Sequence, residues 1–281
     1  MSQAQLEVIE PRQLVHARQA VWSTLRVEAA TAAAEEPILA SLLNATVLNH
    51  ATMADALAYH LAQKLGGADM NALQMREVCA AAYAAEPGLV AMAEADMRAV
   101  RSRDPACLTF LQPFLHFKGF AALQAHRVAH HMWNLGRRTL ALHLQSRVSE
   151  LLQVDIHPAA RLGRGIMMDH ATGIVIGETA VVGDDVSMLH NVTLGGTGKQ
   201  GGDRHPKIAR GVLIGAGAKV LGPIEVGEGA RIASGSVVLA PVAAGCTVAG
   251  IPAKPVGGAC CPNPAETMDH VFDVATFDPG L

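Results

Sequence analysis

The sequence predicts an α+β arrangement, with an N-terminal α-helical domain followed by a left-handed parallel β-helix of hexapeptide repeats. Two observations carry that prediction. Ile208, Ile214, Val220, Val226, Ile232 and Val238 recur at a six-residue interval, each followed four positions later by Val212, Ala218, Ile224, Ala230, Ser236 and Val242. An α-helix cannot keep a six-residue stripe on one face, whereas a triangular coil of three short parallel strands puts a six-residue step at every corner. Composition is the second observation. Glycine is scarce up to Glu150 and plentiful afterwards, and no aromatic residue occurs between Trp133 and Phe272, as narrow stacked coils require.

The first half is rich in Ala, Leu, Glu and Gln and reads as helices. Met53, Leu57, Leu61 and Leu65 recur four apart, Thr52 can cap the start, and Gly66-Gly67 ends the run. Further helices are expected over roughly 37–48, 72–85, 87–101, 117–135 and 138–152. The organisation is therefore a helical domain over 1–152, a β-helix over 153–257 and a tail over 258–281, expected to be flexible because it carries little periodicity. Trp22, Trp133, Phe110, Phe114, Phe117 and Phe120 read as helical core.

The six-residue register also runs upstream through Ile156, Leu162 and Met168, then Ile176, Val182 and Met188, with Ala160, Ile166, Thr172, Ala180, Val186 and Val192 at the small positions. Two breaks interrupt it. The step from Met168 to Ile176 is eight and that from Met188 to Ile208 is twenty, so residues are extruded at 169–173 and around 194–207. A solenoid can extend outward without breaking its stack, which makes such breaks the expected place for binding groups.

Charge and composition narrow the classes of function. A net charge of −3 with pI near 6.5 gives no basis for a nucleic-acid partner or an anionic membrane surface. The N-terminus lacks the basic start and apolar run of a signal peptide, and the charge-free window 232–253 is interrupted by Gly235, Pro241, Gly245, Gly250 and Pro252. Five cysteines, Cys79, Cys107, Cys246, Cys260 and Cys261, are odd in number and show no zinc-ligand spacing, which fits a reducing cytoplasm.

The chemistry-bearing residues gather at the breaks. Asp155 and His170 stand fifteen positions apart, close to one triangular turn, so they can meet across neighbouring coils. A carboxylate accepting from one imidazole nitrogen fixes the tautomer and leaves the other as a base. Standing alone, His170 would read as a solvated or backbone-bonded loop histidine. In the second break, Gly195, Gly196, Gly198, Gly201 and Gly202 let backbone amides approach a ligand, and Arg204 with His205 suits a carboxylate. A flexible linker is the competing reading, whereas a P-loop fails because Gln200 follows Lys199 where Ser or Thr is required. His126, His130 and His131 include an i, i+4 pair but lack an HExxH pattern, and they read as a helix surface or interface.

The runs 155–180, 192–199 and 202–207, with Arg103-Asp104-Pro105-Ala106 and Lys118-Gly119-Phe120-Ala121-Ala122-Leu123-Gln124 in the helical half, closely resemble the bacterial serine O-acetyltransferases, hexapeptide-repeat acyltransferases of cysteine synthesis. The match covers essentially residues 20–257. The resemblance implies transfer of acetyl from acetyl-CoA to the hydroxyl of L-serine by direct attack. It implies His170 as general base with Asp155 as its orienting partner, Asp104 and Asp169 on the serine amino group, and Arg204 and His205 on its carboxylate. Glu178 lies near this constellation in the family. The pantetheine arm would bond backbone groups around Gly196, Thr197, Ala216 and Ser234, the last being Ala in most members. No permanently bound cofactor or metal is implied; acetyl-CoA is a co-substrate.

The resemblance further implies trimers or dimers of trimers with sites between adjacent β-helices and competition by L-cysteine. Many members also insert a C-terminal isoleucine into O-acetylserine sulfhydrylase; here Leu281 keeps the apolar end and carboxylate without the β-branch. Three other readings stand beside this one. They are another hexapeptide acyltransferase, a γ-carbonic-anhydrase-like zinc lyase using His157, His170, His190 and His205, and a catalytically silent scaffold for the sulfhydrylase.

Overall fold

A computed structural model describes residues 11–198, 201–257 and 263–270, with side chains from residue 21 onward. The helical half comprises α1 (Pro11–Glu35), α2 (Ala40–Leu43), α3 (Met53–Leu65), α4 (Ala72–Ala85), α5 (Gly88–Arg103), α6 (Leu111–Leu115), α7 (Lys118–Asn134) and α8 (Arg138–Leu152). Local chemistry sets their ends. Thr52 accepts from the Asp55 amide at the start of α3, and Asn71 with Gln74 forms a reciprocal capping box on α4. Gln153, in the left-handed region at φ 57°, stops α8 and turns the chain into the first strand.

The helix expected over 37–48 is instead a 3₁₀ turn, the single turn α2 and a π turn over Asn44–Leu48. Helix α1 was not anticipated. Its buried stripe of Val21, Leu25 and Ala29 is narrow and ends on alanine, so the hydrophobic contrast that signals a helix is weak. Helix α6 escaped because Pro113 reads as a breaker, although proline is tolerated in a first turn. The aromatic residues fall as expected, with Phe110, Phe114 and Phe120 buried and Trp22, Phe117 and Trp133 packed against the core.

The second half is a parallel solenoid of about five coils. The first coil is β1 (Val154–Ile156), β2 (Arg161–Leu162) and β3 (Met167–Met168); the second is β4 (Ile174–Ile176), β5 (Val181–Val182) and β6 (Ser187–Met188). The third is β7 (Thr193–Gly195), β8 (Lys207–Ile208) and β9 (Leu213–Ile214); the fourth is β10 (Lys219–Leu221), β11 (Glu225–Val226) and β12 (Arg231–Ile232). It closes with β13 (Val237–Val238), β14 (Thr247–Gly250) and β15 (Ala253–Gly257), the last pair antiparallel. Like strands stack into three sheets: β1-β4-β7-β10-β13, β2-β5-β8-β11 and β3-β6-β9-β12-β14-β15.

The hexapeptide positions fill the interior: Ile156, Leu194, Ile208, Ile214, Val220, Val226, Ile232 and Val238 are buried beside Ala160, Ala180, Val212, Ala218 and Ala230. Two details of the register change. Leu194 stays in step, paired between Ile176 and Val220, so the second break begins after it. At the first break Ala171, and not Thr172, takes the buried small position, because the chain there bends through two left-handed residues.

A buried charged joint fastens the two halves. Asp96 on α5 accepts from Arg127 (2.6 Å) and Gln124 (3.0 Å) on α7 and from the Ile166 amide (3.0 Å) of the first coil. Arg127 also donates to the Gly163 carbonyl, and Arg103 donates to the Gly165 carbonyl and Ser187 Oγ. Within the expected tail, α9 (Pro264–Thr267) packs on the solenoid, its Ala265 carbonyl accepting from Ser187 Oγ, and Met268 packs against the cluster of Val100, Cys107 and Met167. No helix among the described residues is long and apolar enough to cross a membrane.

Candidate active site

Helix α7 and the end of α5 close over the first solenoid break to form a cavity of about 390 Å³, lined by Val100, Asp104, Phe117, Lys118, Gly119, Met167, Met168, Asp169 and His170 among others. Asp104 caps the C-terminus of α5 and accepts from the Ala106 amide. His170 and Ala171 are consecutive left-handed residues, φ 54° and 59°, which swing the His170 imidazole outward to 75% side-chain exposure. Its Nε2 lies 3.8 Å from Asp169 Oδ2, and its ring stands edge-on to His190 with centroids 6.0 Å apart. Two carboxylates and an accessible imidazole thus share one cavity.

The cationic group lies elsewhere on the coil, at the corner between the first and second sheets. Arg204 donates to Glu178 at 2.7 Å, and its amide and that of His205 both donate to Thr179 Oγ1. His205 Nδ1 faces the Thr179 amide (3.2 Å) and hydroxyl (2.9 Å), so with Nδ1 accepting from the amide the proton sits on Nε2. The ring lies against Gly177, where an added Cβ would come within 2.0 Å of it, so only glycine fits there. Burial first, and then the Arg204 charge, lowers the His205 pKa and favours the neutral donor form. His157 flanks this corner, edge-on to Trp133 and lowered chiefly by burial.

Not every expected pair forms within one chain. Asp155 sits in β1 beside Val175, and its Oδ1 accepts from Gln145 at 2.6 Å; the expected meeting with His170 across neighbouring coils is absent from the described contacts of the single chain. The four positions expected along acetyl-CoA also divide. Ala216 and Ser234 lie on the His170 corner, where backbone bonds run from Asn191 to Thr172, from Gly217 to His190 and from Gly235 to Ala216 down the stack. Gly196 and Thr197 lie on the other, beside Arg204 and Gly222.

Thr179, which holds Arg204 and His205 together, escaped sequence reasoning, as did Lys118, whose ammonium donates to Thr172 Oγ1. A threonine next to a candidate glutamate carries no signal by type or spacing. Of the histidines expected at a helix surface or interface, His126 is buried, His130 bonds the Pro158 carbonyl of the first coil and His131 pairs with Glu86, so the interface reading fits the first two. The Leu281 expectation lies outside the described residues.

Comparison with known proteins matches this architecture. Residues 21–125 fit the model "Serine acetyltransferase, N-terminal" and residues 205–240 fit "Bacterial transferase hexapeptide (six repeats)". The chain is 57% identical to the serine acetyltransferase of Escherichia coli (strain K12) over 253 residues, 90% of this chain and 93% of that one. It superposes with TM-score 0.90 at 50% identity on a serine acetyltransferase solved in complex with cysteine, covering 91% of this chain and all of that one. It superposes with TM-score 0.82 at 53% identity on the Neisseria gonorrhoeae enzyme in complex with serine, covering 84% and 97%. With such identity over nine-tenths of its length, the chain belongs to the serine acetyltransferase family.

Proposed function

We propose that the chain acetylates L-serine by direct attack on acetyl-CoA, with His170 as general base. His170 takes the hydroxyl proton as the serine oxygen attacks the thioester carbonyl; collapse of the tetrahedral intermediate expels the CoA thiolate, which recovers that proton. Asp104 and Asp169 accept from the substrate ammonium, while Arg204 and the Nε2–H of His205 hold its carboxylate. Glu178 joins the substrate-binding group by orienting Arg204 toward the serine carboxylate.

The observation that carries this reading is the division of charge between two corners. Acceptors and base occupy one corner of the solenoid and the anion-binding pair another, so a zwitterion finds both only where two copies meet. The site is therefore proposed to form between β-helices of a trimer, with Ala216 and Ser234 of one copy and Gly196 and Thr197 of the next along acetyl-CoA. Asp155, half-buried on the outer face of the first sheet, would reach a His170 only in such an assembly. L-cysteine, differing from serine by a thiol, competes at the same groups, in keeping with the relative solved with cysteine. Docking of Leu281 into O-acetylserine sulfhydrylase belongs to the same proposal.

Thiol release from acetyl-CoA on addition of L-serine tests the reaction. His170→Ala should lower the chemical step by about 10²–10⁴-fold. An unchanged rate would transfer the base role elsewhere, and no serine-dependent release by well-folded protein would sink the reading.

A further inference from the structure

The loop carrying His170 is held in a conformation that its own residues disfavour. Two consecutive residues with a Cβ adopt positive φ, followed by Gly173 at φ 75°, and left-handed backbone at non-glycine residues persists only where the surroundings fix it. Backbone bonds supply part of the hold: the Ala171 amide donates to Asp169 (2.6 Å), that of Thr172 to His170 (2.8 Å) and that of Gly173 to Gln153 (2.8 Å). The His170 side chain adds little, being 75% exposed and 3.8 Å from Asp169. Its aim is consequently set by the backbone of the loop.

On the cavity side the loop meets the first turn of α7. A Cβ added to Gly119 would lie 2.2 Å from the Met168 carbonyl oxygen and 3.0 Å from Ala171 Cβ, so the helix touches the loop directly. Lys118 precedes this contact, lines the same cavity as Asp104, Asp169 and His170, and donates through Nζ to Thr172 Oγ1. Helix α7 is itself tied to the first coil through Arg127, Asp96 and Ile166. A rigid path therefore runs from the buried joint through Lys118 to the residue two positions after His170.

We propose that Lys118 is a positioning residue for the reaction: through Thr172 it fixes the left-handed loop that aims His170 into the cavity. Lysine suits the task because its long stem reaches across the cavity wall and its ammonium offers three donors and no acceptor. A cation bonded to Thr172 is also held back from closing onto the Asp104 and Asp169 carboxylates, leaving them for the substrate ammonium.

The inference rests on the acetylation reading, and the test separates the two. Serine-dependent thiol release by wild type checks the reaction; kcat and both KM values of Lys118→Met, Thr172→Val, the double variant and Lys118→Arg check the role. Each single variant should lower kcat about tenfold or more with the acetyl-CoA KM nearly unchanged, since a base displaced by a fraction of an ångström loses rate before binding. The double variant should be no slower than the slower single variant, because both remove one bond, and Lys118→Arg should recover part of the loss. Thr172→Val with wild-type kcat, or losses that multiply in the double variant, would overturn the role: Lys118 would then act on substrate by its charge. If Lys118→Met fails to fold, Thr172→Val alone decides.

Discussion

Glu178 and Arg204 form a 2.7 Å ion pair across neighbouring coils although they stand 26 positions apart. The pair converts a flexible guanidinium into a fixed one, with Thr179 holding the same residue by its backbone amide.

Glu178→Gln should therefore raise the serine KM by roughly three- to tenfold with a smaller change in kcat, since a charge-assisted bond of this kind sets orientation. Its partners are about a third exposed, so the thermal midpoint should barely move. The hydrogen bond from Arg204 holds the Glu178 carboxyl below its ordinary range. The pair accordingly persists through mild acid and is lost only as pH falls through that lowered value. A serine KM that is wild-type in the variant would detach Glu178 from Arg204 function.

The joint of Asp96 with Arg127 carries a different expectation, because both side chains are almost wholly buried. Asp96→Asn leaves Arg127 without its counter-charge and should cost about 3–5 kcal/mol in chemical denaturation. Asp96→Leu combined with Arg127→Met should cost less than Asp96→Asn. A loss under about 1 kcal/mol for the single variant would mean that water or Gln124 compensates.

These two pairs mark how far the sequence was legible. The helix Met53–Leu65 and its Thr52 cap follow from apolar spacing and cap chemistry, and the solenoid follows from a six-residue period that no helix can share. The residues of the candidate site stand out in the sequence by type, but their grouping within one chain does not: Asp155 meets Gln145 because β1 faces it outward, and Arg204 lies a corner away from His170. Asp96 and Arg127 look like ordinary helix charges, since nothing local distinguishes a charge facing another element from one facing solvent. The left-handed step at His170 and Ala171 carries no glycine to announce it.

Acid should unfold the helical half through histidines buried in neutral form. Burial, with Lys64 and His116 nearby, pushes His60 down to about 3, and burial holds His126 well below its usual value. Below about pH 6.5 the unfolded chain binds protons that the folded chain refuses, so stability falls as pH drops, by up to about 1.4 kcal/mol per pH unit per such histidine. For His60 the loss runs from about 6.5 down to about 3. His60→Gln should flatten the acid limb of the unfolding midpoint measured between pH 7 and 4, roughly the span over which linkage acts. A parallel limb in wild type and variant would place the acid sensitivity elsewhere.

Gly119→Ala sets two effects of opposite sign against each other. Within a helix, alanine is favoured over glycine by about 1 kcal/mol, and on propensity alone the change should stabilise α7. The new methyl, however, would stand 2.2 Å from the Met168 carbonyl oxygen, a backbone atom that cannot rotate away. Relief requires α7 to lift from the loop, or the loop to move, and overpacking of this kind costs about 1–3 kcal/mol. Sterics should therefore outweigh propensity, lowering the thermal midpoint and, because the displaced strand leads directly into Asp169 and His170, cutting kcat/KM by about tenfold or more. Should the variant instead be more stable and fully active, the contact between α7 and the His170 loop would be looser than its geometry indicates, and the hold of Lys118 on Thr172 would have to act across a gap.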